Sequence, residues 1–487
     1  MATRVLPPKL LRNLRYLTRT LNSSPSSITA VSPLKFSEKP EPAIEKISKP
    51  TTHVLNLDDY EKLFSSLSTS KLLHASFNLQ LAAIEPIVDF GMWVMKSRLM
   101  ETDMVRDVIS RVIRHTVFEH FCAGEDIVEA TRCVRRINEA GLRGMLDFSV
   151  EHTRDNHACD QNFEGFLKTV EATKSLPPSS VSSVIVKITA ICPVDLLKRV
   201  SDLLRWQHKD PSFNLPWKQN TLPLFSDSSP LYQTVNKPEP LTPQEEHELH
   251  LGHQRLLTLC QKCIEADVPL TVDAEDTMLQ PAIDYLTYAS AIRYNKEDNL
   301  IVYGTIQAYL KDAKDRLLLA TKAAEKMGVQ LGFKVVRGAY MSSERKLASS
   351  LGYESPIHNS IQETHACYND CAAFMLEKIA SGSGAVILAT HNIESGQLAA
   401  AKARELGIEN VKKLEFAQLY GMSESLSCAL RNAGFQVSKY MPFGPLKMVF
   451  PYLLRRAEEN RGLLSTSTLD RQLMRKELKR RLKAAIL

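Results

Sequence analysis

Gly-Phe-Lys-Val-Val-Arg-Gly-Ala-Tyr, residues 332–340, decides the fold. Phe333–Arg337 is a short apolar run that carries two cations and stops at a glycine turn. Charges inside an apolar strand are costly unless they are paired or used. Working outward, the same kind of run recurs at Met145–Ser149, Val184–Thr189, Leu270–Val272, Leu300–Ile306, Ala385–Ala389, Lys413–Phe416 and Gln436–Met441. Amphipathic stretches of helical period separate these runs. Strictly alternating strands and helices imply a parallel sheet with right-handed crossovers. Eight such units predict an α/β fold, a closed (β/α)8 TIM-like barrel, with its active site at the C-terminal ends of the strands.

Residues 207–243 break the rhythm. They hold seven prolines from Pro211 to Pro243 and are too long for an ordinary connection, so they read as an insertion in the barrel. The barrel is expected over 141–465, preceded by a helical region at 38–140. A last helix, carrying Arg455-Arg456, is expected over the barrel mouth.

The two ends are basic. Residues 1–37 carry Arg4, Lys9, Arg12, Arg15, Arg19 and Lys35 and no acid, which accounts for the whole net charge of +6. With Leu10, Leu11, Leu14 and Leu17 able to share one helical face and serines at 23–27, this start reads as an organelle transit peptide and linker. At the other end, 466–487 read as a basic amphipathic helix: Leu469, Leu473, Leu478, Leu482 and Ile486 recur at helical steps among seven Lys and Arg. Such a helix suits an anionic membrane surface, a partner, or a cap with a solvated face. No apolar run is long enough to span a bilayer. The nine scattered cysteines suit a reducing compartment. The balanced body lacks an aromatic-basic platform, which argues against nucleic acid.

Polar groups concentrate at the predicted strand ends: Glu151, Lys187, Asp273 and Glu275, Gln307, Lys334 with Arg337, Thr390-His391-Asn392, Leu419-Tyr420 and Tyr440. In a barrel this is where site residues belong. Arg455 and Arg456 follow the eighth run, and paired guanidinium groups suit a carboxylate, which they can grip bidentately. No metal is expected. In His247-Glu-Leu-His250-Leu-Gly-His253 the third histidine is rotated off the face of the first two, and Cys260-Gln-Lys-Cys263 lies in a helical pattern without a second pair. Gly382-Ser383-Gly384 precedes a strand and is not a dinucleotide fingerprint.

On these residues the chain resembles the proline dehydrogenase family. The matching motifs are Val186-Lys187, Asp273-Ala-Glu275, Ile306-Gln307-Ala-Tyr309, Val336-Arg337-Gly338-Ala339-Tyr340, Ala389-Thr390-His391-Asn392, and Tyr440 fifteen residues before Arg455-Arg456, spanning roughly 140–465. The insertion and the basic start look like the eukaryotic mitochondrial, plant-like branch. The resemblance implies non-covalent FAD at the barrel mouth, with Gln307, Arg337, Gly338, Thr390, His391 and Glu459 at flavin-contacting positions. It also implies one departure: Lys334 stands where bacterial members have an arginine near flavin N5. The expected reaction is oxidation of L-proline to Δ1-pyrroline-5-carboxylate, with electrons passed to a membrane quinone. Peripheral association with the matrix side of the mitochondrial inner membrane would give the basic tail a task. Arg455, Arg456 and Lys187 would clamp the substrate carboxylate, Asp273 would orient Lys187, and Tyr440, Leu419 and Ala339 would line the ring pocket. Tyr440 leaves little room for a 4-hydroxyl, which disfavours a hydroxyproline dehydrogenase. Two rivals from other classes are a metal-dependent barrel hydrolase using Asp273 and Glu275, and a non-enzymatic adaptor using the basic tail.

Overall fold

The computed structural model describes residues 54–487 except 83, 85, 87–88, 90–92, 94–96, 98–102, 297–298, 410, 463 and 487, and leaves the side chains of 82, 103–106 and 457–467 undescribed. The transit-like residues 1–37 therefore lie outside the described residues. Eight parallel strands close into one barrel in sequence order. They are β1 Arg143–Phe148, β2 Val181–Val186, β3 Leu270–Val272, β4 Val302–Gln307, β5 Gly332–Val336, β6 Ala385–Ala389, β7 Leu414–Leu419 and β8 Val437–Phe443. β8 returns to β1 with Met145 opposite Tyr440, so no edge is left open.

Strand alternation divides the core in two. Outward-facing Leu146, Val184, Val186, Val302, Ile306, Phe333, Val335, Leu388 and Phe416 join the helices in the main core. Inward-facing Met145, Ile185, Tyr303, Ala385, Ile387 and Ala417 fill the lumen. Each buried Val, Leu, Ile, Phe or Met among them stabilises the fold by about 1.5–3 kcal/mol relative to exposure. Below them, at the N-terminal end, Arg143 Nη1 meets Glu415 Oε1 at 3.2 Å and Gln436 at 2.8 Å, while Ser438 donates to Glu415.

Most strands fall within two residues of the sequence pattern, and β2 and β7 differ from it by three. β2 ends at Val186, because Ile188–Ile191 is a buried helical turn, so Lys187 caps that turn just past the strand. β7 runs on to Leu419, because polar Gln418 is buried between the sheet and the following helix, where it accepts from Ser427 at 2.8 Å and donates to the Thr390 carbonyl. The long crossover helices start on strong signals: Thr242 and Glu245 form a capping box with Pro243 in the first turn, and Ser360 and Glu363 form another.

Residues 210–242 form no helix or strand between helices Val194–Lys209 and Pro243–Glu265. This segment is pinned to the connections that follow β3, β4 and β5. Gln233 donates to Thr277 at 3.0 Å, Ser229 to Asp312 at 2.6 Å, and Tyr232 stacks on Tyr353 at 4.9 Å.

The Leu464–Ile486 helix is bound to the N-terminal helices by much of its basic character. Arg471 and Arg475 donate to Gln80, Arg480 pairs with Glu61 at 2.9 Å, and Arg481 donates to the carbonyls of Phe64 and Leu67. Buried Glu477 takes Arg480 and Arg481 at 2.8 and 2.6 Å. Leu473 and Met474 are buried, whereas Leu482 and Ile486 are exposed. Among the described residues no helix is long and apolar enough to cross a membrane.

Candidate active site

The top of the lumen holds a layer of charge. Lys187 Nζ lies 3.1 Å from Asp147 Oδ1, 3.3 Å from Asp273 Oδ2 and 3.3 Å from the Tyr440 hydroxyl. Lys334 forms a close ion pair with the other oxygen of Asp273, and Tyr440 donates to Asp273 Oδ2 at 2.7 Å. Ser149 donates to Asp147 at 2.6 Å. Asp147, Ser149, Lys187 and Asp273 sit at or just past the ends of β1, β2 and β3, while Lys334 and Tyr440 project inward from the middle of β5 and β8, so the six side chains converge in the upper lumen. Burial pushes the Asp273 carboxyl up, but the Lys334 and Lys187 ammonium groups outweigh it and hold the pKa down at about 2. For Lys187, burial favours the neutral amine, and Asp147 and Asp273 overcome it and raise the pKa. Both groups are therefore charged at neutral pH.

Arg455 reaches over this layer from the Leu446–Gly462 helix. It grips Glu151 bidentately, Nη1 to Oε1 at 2.6 Å and Nη2 to Oε2 at 3.0 Å, and lies 5.7 Å over the Tyr340 ring. Burial opposes the charge on Glu151, and the hydrogen bonds from Arg455 win, so its pKa is lowered. Arg456 takes a different path: it is buried against the Tyr452 ring at 5.1 Å and is close enough to His391 to depress its basicity. Leu419 and Tyr440 pack on an apolar cap of Phe118, Phe121, Met422, Val449, Tyr452 and Leu453.

The rim between β5 and β6 has another character. Arg337 donates from Nε to His365 at 3.0 Å, from Nη1 to Thr390 at 2.7 Å and from Nη2 to Ser395 at 2.7 Å, and stacks 4.3 Å over Tyr368. Among the described residues this guanidinium has only neutral partners. Gly338 follows at φ +139°, and a Cβ there would come within 2.4 Å of the Tyr309 ring, so only glycine fits. Ala339 joins this turn to Tyr340. His391 Nε2 accepts the Leu419 N–H at 3.0 Å, which leaves the proton on Nδ1. Burial, then Arg456 and Lys439, lower its pKa to about 3, so the ring is neutral. Gln307 Nε2 donates to the Glu275 carbonyl at 2.7 Å. The side chain of Glu459 is outside the described residues. His253 is buried while His247 and His250 are exposed, so the three histidines diverge.

Several members were missed from sequence. Asp147 was findable, as a carboxylate in an apolar strand gives the same signal as Lys187. His365, Tyr368 and Ser395 gave none, because they lie on helices Ile361–Ala380 and Ile393–Glu405, and only the fold brings them to Arg337.

The closed eight-stranded parallel barrel has the fold seen in bacterial proline utilization A proteins. The crystal structure of proline utilization A from Bdellovibrio bacteriovorus, inactivated by N-propargylglycine, matches with a TM-score of 0.57 at 20% identity, over 83% of this chain and 41% of that one. A Bradyrhizobium japonicum proline utilization A matches at TM-score 0.53 and 19% identity, over 87% of this chain and 42% of that one. This chain thus spans about two fifths of those longer proteins.

A model of the proline dehydrogenase family matches residues 130–468, and the chain belongs to that family. Mitochondrial proline dehydrogenases 2 and 1 of Arabidopsis thaliana are each 55% identical to it, over 99% and 100% of this chain and 100% of their own length. Human hydroxyproline dehydrogenase is 33% identical, over 86% of this chain and 92% of its own.

Proposed function

We propose that this chain oxidises L-proline to Δ1-pyrroline-5-carboxylate in the mitochondrion, the first step of proline catabolism. The observation that carries this reading is the buried Lys187–Asp273–Tyr440 cluster lying beneath Arg455. It offers cations to a carboxylate and an aromatic face to a small ring.

The residues fit FAD. A guanidinium with neutral hydroxyl and imidazole partners leaves net positive charge for a phosphate or an electron-rich ring, and Gly338 lets backbone approach closely. Gln307, Lys334, Arg337, Gly338, Thr390, His391 and Glu459 would hold it. When bound, FAD supplies a two-electron acceptor at flavin N5 for the hydride from proline C5, with electrons passing on to a membrane quinone. The chain's own task is orientation and electrostatics. Arg455, with Lys187 and Arg456, holds the substrate carboxylate. Asp273 keeps Lys187 and Lys334 charged and in place. Tyr440, Leu419 and Ala339 cover the ring, and the apolar cap excludes water while the nitrogen lone pair forms the C=N bond.

Tyr440 favours proline over hydroxyproline, because its hydroxyl is tied to Asp273 and the phenol cannot swing away cheaply. A metal-dependent hydrolase is disfavoured by the same geometry: both oxygens of Asp273 already face ammonium groups, and Glu275 Oε1 accepts from Thr189 at 2.7 Å. Peripheral docking on the matrix side of the inner membrane would use the free end of the last helix, where exposed Leu482 and Ile486 lie beside Lys483.

The test is spectroscopic. Purified protein should show a flavin band that bleaches anaerobically on adding L-proline. Arg455→Met should raise KM for proline about tenfold or more with flavin retained, as loss of a charge-assisted bidentate grip does. A colourless protein that reconstitutes no FAD, or an unchanged KM in the variant, would remove the reading or the clamp respectively.

A further inference from the structure

Among the described residues, His152 is one of four non-glycine residues at positive φ, at +55°. A histidine there is strained by about 1–3 kcal/mol, which the surroundings must offset. The turn aims the ring back across the barrel rim. Its Nε2 lies 3.3 Å from Glu275 Oε2 and its Nδ1 lies 3.8 Å from Glu151 Oε1. That Glu151 oxygen is the one that takes Arg455 Nη1 at 2.6 Å. Glu275 is completely buried, and among the described residues its only basic partner is this imidazole.

We propose that His152 is a positioning residue that shares the Glu151 carboxylate with Arg455 and so sets how strongly Arg455 attracts the substrate's carboxylate. The inference rests on the assignment of Arg455 to the substrate clamp. With an imidazolium, the group Glu151, Glu275, His152 and Arg455 is neutral. With a neutral ring it carries one net negative charge, which opposes an arriving carboxylate. The close contact with Glu275 at 3.3 Å raises the imidazole pKa against the pull of burial, and Glu151 and Asp276 add to the rise. The other charges packed here are Arg455 and Lys187, which face Glu151. Because the folded pKa is raised, the favourable charge is present at low pH and is lost as pH rises through that folded value.

The experiment is KM for L-proline on the holoenzyme from pH 6 to 9. The wild type should show KM rising about fivefold across the imidazole titration, the size of a partly screened ion pair. His152→Asn, which tolerates positive φ, should give a KM that is high and independent of pH, with kcat changing less than KM. His152→Arg, which stays charged, should restore the low KM and keep it flat. A wild-type KM without pH dependence, or an Asn variant that titrates like the wild type, overturns the proposal. Should the variants fail to fold, the Kd of cyclopentanecarboxylate for the wild-type holoenzyme, measured by calorimetry over the same range, must weaken with pH; a constant Kd overturns it too. Arg455→Met is measured alongside. An unchanged KM there sinks the clamp itself, whereas a raised KM together with a normally titrating His152→Asn sinks only the role of His152.

Discussion

The two ends of the barrel lumen each bury an ionic group, and they are built to opposite ends. At the N-terminal end Glu415 has one cation, Arg143, with Ser438 and Ser182 as hydroxyl partners. Burial dominates there, and the Glu415 pKa is raised. At the C-terminal end Asp273 has two lysines and a phenol, and its pKa falls to about 2 although it is as deeply buried. The interior is the same medium at both ends. The number of cations decides whether a carboxylate stays charged, and only the mouth concentrates them. A closed end needs satisfied hydrogen bonds, whereas a working end needs fixed charge.

Substitution at the two carboxylates tests this contrast most severely. Asp273→Asn strands the buried Lys334 ammonium and leaves Lys187 to Asp147 alone, and should lower kcat/KM by about a hundredfold or more, read in steady-state assays with proline. Glu415→Gln should leave kcat/KM within about twofold, since it touches nothing at the mouth. Equal losses would erase the distinction between the two ends.

Tyr440→Ser removes the phenol from the mouth and should shift preference from proline toward hydroxyproline by about tenfold, within the ~100-fold limit that apolar pockets set on excluding a hydroxyl. Unaltered selectivity between the two substrates would take Tyr440 out of the specificity pocket. Ser395→Ala removes one of the three hydrogen-bond partners of Arg337 and should weaken FAD retention about three- to fivefold, measured by equilibrium dialysis. Full retention would place cofactor affinity elsewhere on the rim.

The smallest effect is on stability. Glu415 has a raised folded pKa, so its contribution is complete below the ordinary carboxylate value of 4.5 and is lost as pH rises through the folded one. Glu415→Gln should flatten that decline and change Tm by only about 1–3 °C. Asp273 has the reverse sign: its stabilisation is complete above 3.8 and is lost as pH falls toward about 2. Thermal melts from pH 3 to 8 would show whether the two slopes oppose one another as described.

Much of the barrel was legible because each strand announces itself locally, as a short apolar run bounded by turn signals. The errors came where the local signal misleads. Ile188–Ile191 is as apolar as a strand but is a buried turn, and Gln418 is polar yet belongs to β7, which runs past the predicted end at Phe416. The polar rim was legible for the same reason, since charge inside an apolar run is conspicuous. Its pairings were not. Arg455 and Arg456 look equivalent in the chain, but adjacent helical residues point about 100° apart, so one meets Glu151 and the other Tyr452. Likewise the last helix reads as a free basic face, while four of its arginines are bound within the chain.

Sequence alone determined the alternation of strands and helices, and hence the barrel, because periodicity and turn chemistry act over a few residues. It also determined which polar residues would crowd the rim, since strand ends follow from that pattern. Tertiary structure decided which charges face one another. Ion pairing, a shared carboxylate oxygen and a buried neutral imidazole depend on distances between segments hundreds of residues apart, and closure of the barrel sets those distances.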